Sequence, residues 1–159
     1  MILKFLYTLF LGLMVALFVG LGVAAFYEAP KEPEYPELLS EPMLVKEGVS
    51  QESEGQKTAR REYNKEQKEF RKLSSIYNRN VSIVAMIAAV IILVISLRLV
   101  TKILLMSDGL LLGGVLTLLY SLIRGFMAED AKYRFVAVTI GLFIALVVGF
   151  LKFIRHEEK

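Results

Sequence analysis

Four apolar blocks decide what this 159-residue chain can fold into. They run roughly over Phe5–Tyr27, Val81–Leu97, Ile103–Ile123 and Phe135–Phe153. Each comes close to the ~17–25 residues that cross a hydrocarbon core as a helix. Backbone amides in lipid must be bonded within their own segment, so blocks this uniformly apolar are restricted to helix. The chain is 55% hydrophobic and still 22% charged, which is possible only because the two kinds of residue are segregated. The expected fold class is therefore all-α: a polytopic membrane protein whose four transmembrane helices form a small bundle. By length it is at most one compact domain.

The stretch from Gln56 to Asp108 contains neither glycine nor proline. Its first half is charged and its second half apolar, with Asn78-Arg79-Asn80 between them. The pattern predicts one long helix, or two nearly collinear ones, beginning in water and ending in a bilayer. Asn80 would cap the second membrane helix if there is a break. The expected organisation is a first transmembrane helix over 1–27, an acidic extended segment over 28–56 and a charged amphipathic helix over 57–80. Three further transmembrane helices over 81–154 and a polar tail over 155–159 complete it.

The opening block follows Lys4. A cleaved signal peptide competes with a retained helix, but its apolar region would be about 7–15 residues, shorter than this one. A retained helix is expected. Gly12, Ala16, Gly20 and Ala24 recur every four residues on it. That leaves one side thin enough for another backbone to approach, the small-xxx-small pattern of membrane helices.

All four prolines fall in the next segment, together with eight glutamates and two lysines. Pro30, Pro33 and Pro36 are three apart, the repeat of a polyproline II helix, and would share one edge. A stiff anionic spacer is the plainer reading. Leu38, Leu39 and Met43-Leu44-Val45 offer it apolar contacts, and Gly48 and Gly55 permit a turn back. The charge then inverts, with eight basic residues over 57–80 against Glu62, Glu66 and Glu69. Tyr63, Phe70, Leu73 and Tyr77 form an apolar stripe at helical period. With Arg71 and Lys72 they are the candidate partner or lipid contacts. The stripe can pack under the acidic segment, pair with another copy, or lie on anionic headgroups.

The second membrane helix ends at Arg98 and Lys102, whose stems reach toward headgroups. Ser107-Asp108-Gly109 reads as the start of the third, with Asp108 as its cap. Gly109, Gly113, Thr117, Ser121 and Gly125 then recur every four residues, and Ala137, Gly141, Ala145 and Gly149 do so on the fourth. Thr117 and Ser121 can bond back to their own helix carbonyls. Asp108, Thr117, Ser121 and Arg124 are the candidate polar groups at membrane depth, where such residues are expensive.

Lys4 before the first helix and Glu28, Glu32 and Glu34 after it favour a cytoplasmic N-terminus. Lys and Arg counted over whole loops, thirteen on the long-loop side against six on the terminal side, favour the reverse. The first helix usually dominates and long loops count for less. Both termini are thus expected inside a cell membrane and the long loop outside.

No catalytic constellation is visible. There is no cysteine, and the one histidine, His156, lies in the C-terminal tail. Histidine-based metal sites and Ser-His-Asp arrangements are unavailable, and no phosphate-binding glycine loop is present. No enzyme activity, cofactor or nucleic-acid partner is expected. The expected role is structural, scaffolding or assembly-related, with the 28–80 loop binding a partner or a second copy. The alternative is a subunit of an oligomeric channel or transporter, with Asp108, Thr117, Tyr120 and Ser121 along its path.

Overall fold

The computed structural model describes residues 2–40, 44–46, 49–51, 53–99 and 103–154. Pro42, Met43, Gly48, Lys102 and the 155–159 tail fall outside them. Four long helices dominate: α1 (Ile2–Phe26), α2 (Glu54–Leu99), α3 (Leu104–Met127) and α4 (Ala131–Gly149), the last followed by a π-helical turn, Phe150–Ile154. All four are long and apolar enough to cross a membrane. The departure from helix is a two-stranded antiparallel ladder of β1 (Leu44–Lys46) and β2 (Val49–Gln51), with Val45 opposite Ser50. The sequence analysis did not anticipate it. The chain divides into two units, Met1–Glu28 with Ser75–Lys159, and Ala29–Ser74.

α2 begins at Glu54 rather than 57, and the reason is local. Ser53 Oγ accepts from the Gln56 amide at 3.2 Å while Gln56 Oε1 accepts from the Ser53 amide at 2.9 Å. This reciprocal capping box satisfies two amides at the helix start, so Gly55 lies inside the first turn and is no hinge. Lys57 adds a 2.8 Å ion pair to Glu54, which lowers the carboxyl pKa through its hydrogen bond and charge. Nor does α2 break at Asn80; the helix is continuous to Leu99.

Within the larger unit the hub is α3. Eight of its residues are buried: Ser107, Gly109, Gly113, Gly114, Thr117, Leu118, Ser121 and Gly125. On α1 only Gly12 is buried, and on α4 only Ala137 and Gly141. α3 begins at Leu104, with Ile103 at its cap position and no side-chain cap. Asp108 therefore sits in the second turn and does not cap α3, contrary to the sequence reading. Ser107 must already be helical to meet its partner on α2, which draws the helix start back into Leu104-Leu105-Met106.

α2 and α3 form an antiparallel hairpin joined by two serine pairs. Ser82 Oγ donates to the Ser121 carbonyl and Ser121 Oγ to the Ser82 carbonyl, both at 2.8 Å. Ser96 Oγ donates to the Ser107 carbonyl at 2.8 Å, and Ser107 Oγ to the Ser96 carbonyl at 2.9 Å. All four serines are fully buried. Fourteen residues separate the two pairs on each helix, and midway between them stand Ala89 and Gly114. Small residues thus recur every seven positions on both partners, Ser-Ala-Ser against Ser-Gly-Ser, the spacing of helices packed at about +20°. Ser121 consequently bonds across to α2 instead of back to its own helix; Thr117 does bond back, to the Gly113 carbonyl at 2.7 Å.

α1 runs parallel to α3 and touches it through the first half of its small-residue stripe. A Cβ on Gly12 would stand 2.8 Å from Leu112, one on Gly109 2.6 Å from Leu11, and one on Gly113 2.7 Å from Val15 and 3.2 Å from the Gly12 carbonyl. Ala16 is half-buried, nothing lies within 4 Å of a Cβ on Gly20, and Ala24 is exposed. α4 is similar. Ala137 is 3% exposed and a Cβ on Gly141 would meet Leu122 at 3.2 Å, whereas Ala145 is exposed and Gly149 faces open space. Close approach is confined to the middle of α1 and the first half of α4.

Gly113→Ala drives its Cβ into a β-branched side chain and a backbone oxygen, and should cost about 1–3 kcal/mol by overpacking. Gly20→Ala meets nothing and should leave stability unchanged or slightly raised. Unfolding of the two variants in mixed detergent micelles tests the contrast, and equal effects would contradict the α1–α3 contact. Ser82→Ala and Ser96→Ala should each cost no more than ~0.5–1.5 kcal/mol, since interhelical hydrogen bonds in membrane proteins are individually modest. The same unfolding measurement should rank both serine variants below Gly113→Leu.

Candidate functional site

The densest polar cluster lies where α1 and α3 end and α2 carries Ser75 to Asn80. Tyr27, just past α1, stacks on Tyr77 with ring centroids 5.1 Å apart and planes 11° from parallel. Its hydroxyl accepts from Asn80 Nδ2 at 2.8 Å, and its carbonyl accepts from the Tyr77 hydroxyl at 3.4 Å. So Asn80 ties α2 to α1. Stacked aromatic pairs contribute about 0.5–1.5 kcal/mol beyond their burial.

Arg124, in the last turn of α3, completes this layer. Nη1 donates to Asn78 Oδ1 at 3.0 Å and Nε to the Tyr120 hydroxyl at 3.2 Å. Its guanidinium carbon stands 5.8 Å from the Tyr77 ring centre and 5.5 Å from that of Tyr120. Tyr77 and Asn78 are buried. No carboxylate of a described residue comes within 4.0 Å of Arg124. A guanidinium stays charged at any accessible pH, so two π-faces and neutral oxygens are what hold this cation.

The α3–α4 turn joins the same collar. The Glu129 amide donates to Ser75 Oγ at 2.8 Å, and the Tyr133 hydroxyl to the Arg79 carbonyl at 3.3 Å. Asp130 caps α4, accepting from the amides of Lys132 at 2.9 Å and Tyr133 at 3.3 Å. This cap went unread in the sequence, although Ala128-Glu129-Asp130 directly precedes an apolar run. Arg134 Nε donates to the Ala128 carbonyl at 2.6 Å and closes the turn. Over six residues, α2 is thus bonded to each of the other three helices.

A second polar contact occupies the opposite end. Lys152, on the π-helical turn after α4, reaches Asp108 Oδ1 at 2.8 Å. The lysine side chain is 12% exposed and the carboxylate 43%. Asp108 also borders an open hollow of about 420 Å³ shared with Lys4, Phe5 and Thr8 of α1. The wider turn after Gly149 carries Lys152 over α3, so the ion pair fastens the end of α4 that lacks close backbone contact.

The other predicted site residues are dispersed. Thr117 and Ser121 are buried in helix contacts, Tyr120 bonds Arg124 and Asp108 bonds Lys152, so the polar groups of these four are engaged in separate contacts. In the smaller unit Tyr63 meets Tyr35 edge-on at 5.4 Å, and Gln56 Nε2 donates to the Leu38 carbonyl at 3.3 Å. The acidic segment folds against the first turns of α2 there. Phe70 is half-buried, while Leu73, Arg71 and Lys72 are exposed. Among the described residues no three His, Cys, Asp or Glu side chains gather to hold a metal ion.

Comparison of the chain with protein-family models, with curated proteins and with solved structures gives no match. Its own geometry must carry the functional reading.

A double-mutant cycle checks the ion pair. Asp108→Asn and Lys152→Gln should each destabilise by about 1 kcal/mol or less, as expected of a partly exposed pair, and the double variant should cost less than the two added together. Strict additivity in detergent unfolding would mean that the two side chains do not interact.

Proposed function

We propose that this is an integral membrane protein with a structural, scaffolding or assembly role, binding a partner or a second copy of itself through residues 28–80. The observation that carries the reading is the unbroken α2, whose segment before Ser75 keeps Leu73, Arg71 and Lys72 exposed. The acidic segment contacts α2 around Gln56 and Tyr63, so it consumes part of the stripe and leaves this part for another molecule. The wide apolar faces of α1 and α4 fit a lipid surrounding, since an exposed apolar side chain in a bilayer needs no other cover. The long loop lies outside a cell membrane and both termini lie in the cytoplasm. Thiol labelling of Glu32→Cys and Glu157→Cys in intact cells checks that orientation, because the chain has no native cysteine.

Leu73→Glu together with Arg71→Glu should dissolve the association while leaving helical content unchanged. Sedimentation in mild detergent and cross-linking at residue 72 read it directly. A wild type that sediments as one copy and cross-links to nothing would sink the proposal.

The alternative is a subunit of an oligomeric channel or transporter. Its polar groups are engaged in helix contacts rather than facing a common void, so conduction would need a path between copies. Ion flux in liposomes separates the two readings: an Asp108-dependent current favours the alternative.

A further inference from the structure

We infer that the Arg124 cluster is a binding site for the headgroup of an anionic phospholipid. The inference rests on the membrane reading above and adds a ligand to it. Arg124 carries a permanent charge, yet no carboxylate of a described residue lies within 4.0 Å of it. It is not a freely moving surface arginine. Nε is bonded to Tyr120, Nη1 to Asn78, and the guanidinium carbon lies over the rings of Tyr77 and Tyr120 at 5.8 and 5.5 Å. A guanidinium has five N–H donors. The two bonds to Tyr120 and Asn78 use two of them and leave three for an outside acceptor. Three donors in a fixed fork match the oxygens of a phosphate better than they match a single carbonyl.

The position points to a lipid as the source of that phosphate. Arg124 is in the last turn of α3, on the level where α1 ends at Phe26 and where Tyr27 and Asn80 form the polar rim. This is where four apolar spans give way to polar side chains, the depth of the headgroup layer. Arg79 and Lys132 stand exposed at the same end, each without a described carboxylate within 4.0 Å. Glu28, Glu129 and Asp130 lie at this end too, against four cations, Arg79, Arg124, Lys132 and Arg134, and Asp130 is turned to the first amides of α4. The local excess of cations favours an anionic headgroup over a zwitterionic one, whose ammonium would be brought toward Arg124.

The test uses the full-length protein in detergent, titrated with phosphatidylglycerol or with phosphatidylcholine of the same acyl chains, and counts retained lipids by native mass spectrometry. Wild type should hold one phosphatidylglycerol about fivefold to tenfold more tightly than phosphatidylcholine. Arg124→Gln should abolish the preference, Arg124→Lys should keep part of it, and Thr139→Ala, at an exposed position on α4, should keep all of it. Inorganic phosphate should not displace the lipid. Equal retention of the two lipids by wild type overturns the proposal without any variant, as does a preference that survives Arg124→Gln. Displacement by inorganic phosphate would also overturn the assignment to lipid. A wild type that stays dissolved without detergent would instead overturn the membrane reading beneath it, so the two failures can be told apart.

Discussion

The absence of a Cβ at three positions within two turns of α3 is what the helical unit depends on. Gly109 and Gly113 admit Leu11 and Val15 of α1, while Gly114 admits Leu93 of α2 at 2.7 Å from where a Cβ would stand. The two faces adjoin on one helix, so α3 is thin on both sides at the same height. Within lipid, apolar side chains gain little by leaving tails for one another, and contact area at short range must hold helices together. A helix that presents two thin faces becomes the centre by default. Its neighbours need only one each.

The same constraint explains where contact stops. Toward its C-terminal end the α1-facing side of α3 carries Tyr120 and Arg124 in place of small residues. These side chains cannot admit a backbone, and α1 leaves Gly20 without a neighbour and Ala24 exposed. At this level stand the stacked Tyr27 and Tyr77, with Arg124 over the rings of Tyr77 and Tyr120. Packing gives way to hydrogen bonding as the apolar spans end and polar groups become affordable. At the other end, α4 loses close contact beyond Gly141, and an ion pair between Lys152 and Asp108 takes over. α1 is thus held by backbone proximity near its middle and by polar side chains just past its end, and α4 by polar side chains toward both ends with the close contact between them.

Much of this architecture was legible in the sequence, and what was missed has identifiable causes. The four apolar blocks were sufficient signals for four long helices, while the absence of glycine and proline from Gln56 to Asp108 left open one helix or two collinear ones and gave no sign of the step from α2 at Leu99 to α3 at Leu104. Four-residue spacing found Gly12, Gly113 and Gly141, but it also marked Gly20, Ala24, Ala145 and Gly149, which meet no close neighbour. A stripe records which side of a helix is thin, and whether anything arrives there depends on bulky residues of another helix. The seven-residue series Ser82-Ala89-Ser96 and Ser107-Gly114-Ser121 was equally present in the sequence and carried more information. It was overlooked because serine read as a tolerated polar residue rather than as a small one, and because its significance appears only when two helices are aligned in opposite directions. Asp108 was read as a cap from its neighbours Ser107 and Gly109. Its true partner, Lys152, lies 44 residues away, and no local pattern announces a pair at that distance.

Burial divides the four helices into a tight pair and two loosely applied ones. In their most apolar windows α2 and α3 are 39% and 33% buried, against 6% for α1 and 11% for α4. In water such exposure on α1, with Phe10, Phe18 and Leu21 all turned outward, would drive aggregation. In a bilayer it costs nothing, because the tails solvate it as well as protein would. The α2–α3 hairpin then supplies a fixed scaffold with its own polar locks, and α1 and α4 attach to it through one thin patch and a few polar contacts each.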